Sequence, residues 1–357
     1  MTLLLCWLLG CTCQPPHRLP EPRVVHVTPA EAGRLVMVSV GDTDVGNQGF
    51  EVLERRGVDY AFRGIERHLA ADVGLFNLET TVTAVDPDPD DFKVQRMRPE
   101  WLPELTDRGL TLASLANNHT MDQGIAGLEE TLGFLDQAGI VGFGGGLTLD
   151  DARRPLILEV ATDDGPLRIG LVSVWEHRES RAEQYADPSR GGLARFPDEQ
   201  LFADLEALDA TVDVLVVTVH WGKNYVQETD KLRKRARQLV DHGADLVNGH
   251  GAHLVQGVEL VDGVPVLYSL GNFVFSSFGG YAKVKPELRL SVVARYGFDR
   301  DGVARLELLP IRTDNKRVRF QPVVSTEAQA TAQLLPVIER YGLSWTRSAD
   351  GWYALDR

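Results

Sequence analysis

The stretch LTLASLANNHTMDQG (residues 110–124) carries an apolar run straight into Asn117, Asn118 and His119. A strand that merely turns is expected to close on Gly, Pro, Asp or Ser chemistry. Two amides and an imidazole instead put groups able to hold a metal or a phosphate where a strand meets a loop. Four other segments share the pattern: RLVMVSVGD (34–42), VGLFNLE (73–79), VDVLVVTVHWG (212–222) and ADLVNGHGAH (244–253). Helical signals lie between them at 51–70, 124–138, 199–208 and 229–242. Near-continuous apolar strands alternating with helices predict a buried, largely parallel sheet in an α/β fold. Ligand sites in such sheets gather outside the carboxyl ends of the strands, where these polar residues stand.

A second texture accompanies the first. LILEVATDDGPLRIGLVSV (156–174), GVELVDGVPVLYSLGNFVF (257–275) and LRLSVVARYGFDRDGVARLELLPI (288–311) each place Asp-Gly between strand-like runs, the usual hairpin signal. Antiparallel strands are therefore expected to extend or face the parallel set. Residues 325–341 read as a surface helix, and no repeat or low-complexity tract divides the body.

The net charge of −14 over 357 residues excludes a broad nucleic-acid surface, which needs a basic face. All three cysteines, Cys6, Cys11 and Cys13, lie in the first thirteen residues, so the body holds no disulfide framework and no thiolate metal site. The chain opens MTLLLCWLLGCTCQPPHRLPEP, whose apolar run is too short to span a bilayer as a mature helix. It reads as a secretory h-region without a positive n-region. Leu8-Leu9-Gly10-Cys11 resembles a bacterial lipobox, in which Cys11 is lipidated; a mis-assigned start or a buried N-terminal segment is the alternative. The expected organisation is a lipoprotein-type signal peptide over 1–10, a Pro-rich tether over 11–33 and one domain over 34–357.

Strand ends offer Asp42 and Asp44, Glu79, then Asn117, Asn118 and His119, followed by His220, His250 and His253. Early oxygen donors and late imidazoles suit Mn, Fe or Zn better than an all-oxygen magnesium cage. One or two such ions can clamp a phosphate and lower the pKa of a bound water, and a histidine beside them can protonate a leaving oxygen. Any one of these residues alone reads as well as a cap, a turn or a satisfied core polar group. FKVQRMRPE (92–100) adds Lys93, Arg96 and Arg98, able to hold an anionic substrate or simply to form a solvated basic loop. Asn272 in SLGNFVF can reach the site or cap a core turn, and GFGGG (142–146) lacks dinucleotide-binding spacing.

The motifs GDTDVG, NLETTVT, LANNHTMDQGIAGLEETLGFLDQAGI, VVTVHWG, GADLVNGHGAHLVQGVE and VPVLYSLGNFVF, in that order, resemble the CapA family of capsule poly-γ-glutamate biosynthesis. The resemblance spans about residues 35–275 and implies a calcineurin-like metallophosphoesterase sandwich of two mixed β-sheets flanked by helices. It also implies Asp42, Glu79, Asn118, His220 and His253 as metal ligands, with His119 as general acid; His250, at its strand end, is a further candidate metal ligand. Asn117, Arg96, Arg98 and Asn272 are then candidates to contact substrate. The chain departs from the pattern at Asp44, where the superfamily has histidine, and at Gly251-Ala252, which leave His250 and His253 three apart.

Together these readings give an expectation of a lipid-anchored, extracytoplasmic protein of the bacterial envelope serving synthesis or export of an anionic polymer. Its activity would be metal-dependent hydrolysis of phosphoester or related bonds on a polymer or phosphorylated substrate, alongside membrane capsule-synthesis partners. The rival expectation is a non-catalytic binding or assembly subunit of a polymer-export complex on the same scaffold. A nucleotidase-type scavenger is weaker, since no aromatic pair stands out to sandwich a base. The lipobox reading gives a direct prediction: Cys11→Ser moves the protein from the membrane to the soluble fraction, and its persistence with membranes refutes the anchor.

Overall fold

Every apolar run that ends on polar residues forms a strand. In the computed structural model, residues 18–86, 94–163, 165–276 and 290–356 are described. The signal segment 1–10, Cys11 and the tether as far as residue 17 lie outside them, as does Lys93. In chain order the longer elements are β1 (Arg23–Val27), β2 (Leu35–Asp44), α1 (Phe50–Arg56), β3 (Val73–Leu78) and β4 (Leu110–Ser114). Then come α2 (Gly124–Gln137), β5 (Val141–Phe143), β6 (Leu156–Val160), β7 (Leu167–Glu176), α3 (Glu199–Asp209), β8 (Val214–His220), α4 (Asp230–Asp241) and β9 (Leu246–His250). The chain continues through β10 (Val258–Val261), β11 (Val264–Leu267), β12 (Asn272–Phe275), β13 (Leu290–Asp299), β14 (Gly302–Arg312), β15 (Trp345–Arg347) and β16 (Tyr353–Leu355).

These strands make two mixed sheets. One runs β1-β6-β7-β8-β9-β11-β10; the other runs β15-β16-β14-β13-β2-β3-β4-β5, with β12 beside β2. The parallel cores are β7-β8-β9 and β2-β3-β4-β5. The Asp-Gly signals become the antiparallel pairs β6-β7, β10-β11 and β13-β14.

Side-chain alternation along each strand sorts residues into three layers. Met37, Leu75, Leu112, Leu171, Val216 and Leu246 meet between the sheets. Their neighbours Val38, Phe76 and Ala113 face outward to Leu53, Phe62, Leu102 and Leu135. On the opposite outside, Val217 and Val247 pack on Leu205, Leu208, Leu232 and Leu239 of α3 and α4. The result is the two-sheet sandwich flanked by helices that the motifs implied.

Three expectations shift. The helix expected over 51–70 stops at Arg56, where Gly57 takes φ +81°, and short 3₁₀ turns continue to His68. The terminal helix divides into Glu327–Gln333 and Leu335–Ile338, because Pro336 has no N–H and fits only a first turn. The folded body begins before residue 34, since β1 pairs in parallel with β6 from Arg23↔Leu156 to Val27↔Val160. The flanking prolines hid that strand. Among the described residues no helix is long and apolar enough to cross a membrane.

Where β2 reaches the site, Gly41 approaches Gly271 so closely that an added Cβ would lie 1.9 Å from its carbonyl oxygen. Gly41→Ala must push the backbone apart beside Asp42. A loss on the order of 3 kcal/mol is expected, the upper range for overpacking, read as the urea-unfolding midpoint.

Candidate metal centre

Five strand ends from both sheets converge. The β2-β3 register slips by one residue between Val40 and Asp42, which sets Asp42 opposite Asn77. Such irregularities re-aim side chains next to sites. Asn77 and Glu79 share a face two residues apart, His220 pairs with His250 across β8 and β9, and Asn272 lies opposite Asp42.

At the centre Asp42, Glu79 and His253 are buried, and each offers a donor atom within 4.8 Å of the others. His253 Nδ1 lies 3.1 Å from Asp42 Oδ2 and donates to Asn272 Oδ1 at 2.8 Å. That bond leaves Nε2 turned to Glu79 Oε1, 3.7 Å away. The backbone of His253 holds φ +57°, uncommon outside glycine, so the ring position is fixed against a local cost. Phe275 and Tyr225 flank the ring at centroid distances of 4.8 and 5.8 Å. Asp42 also accepts from Gly251 N–H at 3.3 and 3.2 Å and from Asn77 Nδ2 at 2.9 Å. Both Glu79 oxygens are buried without a hydrogen-bond donor.

This donor set fits a divalent ion. Two carboxylates and an imidazole nitrogen are standard ligands, and His253 gives its other N–H to a carbonyl, as metal-binding histidines do. An unpartnered buried carboxylate is otherwise costly, so Glu79 is the residue most in need of a cation.

The amide orientations follow from fixed partners. Asn117 Oδ1 accepts from the N–H groups of His119 and Thr120, both at 3.0 Å, so its Nδ2 must face Leu78 O and Asn77 Oδ1. Asn77 therefore turns Nδ2 to Asp42 and to His220 Nδ1 at 3.2 Å. His220 thus accepts at Nδ1 and carries its proton on Nε2, 3.9 Å from Glu79 Oε1. His250 stands apart: Nε2 contacts Asn248 Nδ2 at 3.2 Å, Asn248 bonds Ser39 and Tyr296, and Nδ1 lies 3.6 Å from Asp42.

His119 is half-buried, with Nδ1 2.7 Å from Asp122 Oδ2. Asp122 also accepts from Gln95 N–H at 2.7 Å, which fixes the carboxylate behind the ring.

The electrostatics follow burial and pairing. Burial opposes ionisation of Asp42, yet the hydrogen bond and charge of His253 hold its carboxyl below the usual range. Burial pushes Glu79 well above the carboxylate range, and Asp42 adds repulsion that His253 only partly offsets. His253 itself would be depressed by burial, but Glu79 and Asp42 raise it to about 9. Burial lowers His220 well below its ordinary value and lowers His250 to about 4.

Several sequence expectations need revision. Asn77, which the sequence reading passed over, is the asparagine that touches Asp42 and His220; Asn118 is only half-buried beside the site. Asn117 spends both ends of its amide bracing the loop and is fully buried. Asn272 accepts from His253 and orients its ring. Arg98 is committed to Asp86 at 2.7 Å and Glu54 at 2.9 Å and lies over the Phe50 ring. Arg96 donates to the side-chain carbonyl of Gln123 at 3.0 and 3.3 Å. Asp44 is buried outside the central trio, and burial raises its carboxyl well above the ordinary range. Gly251 gives a backbone donor where the family pattern has an imidazole. A Cβ there would meet His220 Nε2 and Trp221 O, both at 2.8 Å. Asp122 was also missed, though three residues after His119 is ordinary reach for such a pair.

A family model described as "Bacterial capsule synthesis protein PGA_cap" matches residues 36–277. The chain belongs to the bacterial capsule synthesis protein family. A probable polyglutamine synthesis accessory protein of Mycobacterium tuberculosis is 32% identical over 271 residues, covering 72% of this chain and 70% of that protein. The PGA biosynthesis protein CapA of Bacillus subtilis is 29% identical over 276 residues, covering 76% and 70%. Among solved structures, the calcineurin-like phosphoesterase YfkN of Bacillus subtilis is 12% identical, covers 86% of this chain and 97% of that chain, and has a TM-score of 0.45.

In this family member the trio predicts a pH signature for the metal-free protein. His253 has a folded value of about 9 against an ordinary 6.5, so its stabilisation is complete below pH 6.5 and lost as pH rises through 9. Glu79, also raised, acts in the same direction. His220 and His250 are depressed and lose stabilisation only as pH falls below 6.5. Urea midpoints in chelator should therefore fall between pH 6.5 and 9, and His253→Gln should flatten the slope.

Proposed function

We propose that this capsule-family protein is envelope-anchored and serves synthesis or export of an anionic polymer, hydrolysing a phosphoester or related bond at the strand-end site with a divalent transition metal. The observation that carries this reading is Glu79, a fully buried carboxylate with both oxygens unpartnered, facing Asp42 and His253. Mixed oxygen and nitrogen donors favour Mn, Fe or Zn. One ion accords with the donor set better than two, because Gly251 replaces an imidazole and His220 turns an N–H toward Glu79. When bound, such an ion polarises a phosphoryl oxygen as a Lewis acid.

The protein's own groups divide the remaining work. Asp42, Glu79 and His253 hold the ion, and Asn77, Asn272 and Gly251 hold those side chains. Asp122 fixes His119 through Nδ1, leaving Nε2 to give a proton to the leaving oxygen. An anionic substrate finds no free guanidinium in Arg98, whose charge is already paired.

A second reading keeps the scaffold as a non-catalytic assembly subunit of a membrane export complex. It is favoured by the internal neutralisation of Asp42, which His253 and Gly251 achieve with protein groups alone.

Elemental mass spectrometry of the detergent-solubilised full chain, purified without chelator, separates the two. The hydrolase reading expects a transition metal that Glu79→Gln loses. It also expects His119→Gln to keep the metal while turnover of phosphoester substrates falls about 10²- to 10⁴-fold, the range for one general acid. No metal after reconstitution with Mn, Fe and Zn favours the assembly subunit.

A further inference from the structure

The site-bearing end of the molecule is also the end on which the first described residues lie, and the start of α4 there is rich in exposed cations. The first point follows from strand direction. β7, β8 and β9 run in parallel toward the site, ending on Glu176, His220 and His250. β6 is antiparallel to β7, and β1 is parallel to β6. β1 therefore runs away from the site, and the residues before Arg23 lie on its site side. Leu19 lines a cavity that runs along the outer flank from Leu208 and Val172 to Ala194, Arg195 and Asp198, and Arg195 pairs in register with Trp175, which in turn pairs with His220.

The second point is charge. α4 starts at this end and reads DKLRKRARQLVD, with five cationic residues against two aspartates in a chain of net charge −14. Lys231 reaches Glu176 at the tip of β7, at 2.6 Å, and still exposes most of its side chain. Lys223, Lys234, Arg178 and Arg195 are exposed around it. Arg178 bridges to Gly222 O at 2.6 Å, which ties the loop after β7 to the loop after β8. Carboxylates are present too: Glu179, Glu183, Asp187, Asp198, Glu228 and Asp230 lie on the same loops and helix start, and Asp187, Asp198, Glu228 and Asp230 pair with Arg190, Arg195, Arg340 and Arg233. At the far end the hairpin turn Asp299–Asp301 exposes Asp301, and its Arg300 pairs with Asp213.

We infer that the strand-end face, from Arg178 through the Lys223 loop to the first turns of α4, lies on an anionic membrane surface, so that the end of the molecule carrying the metal-competent site is turned toward the bilayer. The inference deepens the envelope-anchored reading and rests on it for how the chain reaches the membrane. Two features select a lipid surface over a soluble polyanion: the described chain begins on this side of the molecule, and the exposed cations Arg178, Lys223, Lys231 and Lys234 spread over two loops and a helix. Juxtamembrane lysines are attracted by anionic headgroups at short range. A substrate for this site would then arrive in the plane of the membrane, as a phosphoester carried on a lipid or a polymer emerging from a membrane synthase.

The test uses the cysteine-free body. Full-length protein carrying Cys13→Ser is labelled with a fluorophore at Asn224→Cys or at Asp301→Cys and reconstituted through its own anchor. The vesicles contain phosphatidylglycerol and a headgroup-nitroxide lipid. Strong quenching at position 224 with little at 301 supports the inference; equal quenching, or more at 301, overturns it. A face serving a soluble polyanion gives the equal result. Should the anchor itself fail, Cys11→Ser protein reads the surface alone by flotation with phosphatidylglycerol vesicles. Lys223→Gln and Lys234→Gln are each expected to weaken that partition about fivefold, as loss of one juxtamembrane lysine does. Absence of any lipid-dependent flotation overturns the inference. Turnover of a soluble phosphoester, measured in parallel, reports the hydrolase reading independently of either result.

Discussion

The Asp42–His253 pair is the constraint on which this molecule is built. Asp42 lies two residues before the end of a strand of one sheet and His253 follows a strand of the other, so the pair joins the two layers. Removing two charges from water costs several kcal/mol each, and their attraction compensates only when the remaining lone pairs and protons are satisfied. The surrounding residues meet that requirement. Gly251 and Asn77 donate to Asp42, Asn272 accepts from His253, and the register slip at Gly41 puts Asp42 where all of them can reach it.

Glu79 stands outside that settlement. It shares the pocket with Asp42 and gains from His253 only part of what burial takes away. Local rules are broken at one residue while its neighbours obey them, which is the pattern of a site whose stability is sacrificed for a task. The positive φ of His253 is a second, smaller sacrifice of the same kind. Both lie within one ion's reach of each other, at the edge of the apolar layers that hold the sandwich together.

Much of this was legible in the sequence, and the limits of legibility have physical causes. The strands showed because apolar runs stop abruptly on polar residues, and the hairpins because Asp-Gly fixes the turn. Asp42, Glu79 and His253 showed because they stand at strand ends. Asn77 did not, although the two-residue alternation that aims Glu79 into the site aims Asn77 there too. Asn118 was favoured because the resemblance set Asn118-His119 on the family's Asn-His motif; β4 ends at Ser114, and beyond a strand's end no periodicity says where a side chain points. Arg98 looked free because its partner Glu54 lies 44 residues away, a distance at which sequence carries no signal. β1 was lost among prolines, since its pairing with β6 spans more than a hundred residues.

Gly251 has a consequence for how this site can change. Its φ of +97° disfavours any side chain, and the space a side chain would need is held by His220 and by the carbonyl of Trp221. No single codon change can therefore install an imidazole there; the β8 end and the turn after β9 would have to move together. A donor supplied by the main chain also has no proton to lose in the physiological range and no side chain to oxidise. The position is closed to stepwise variation, and diversity in this pocket must arise from the residues around it.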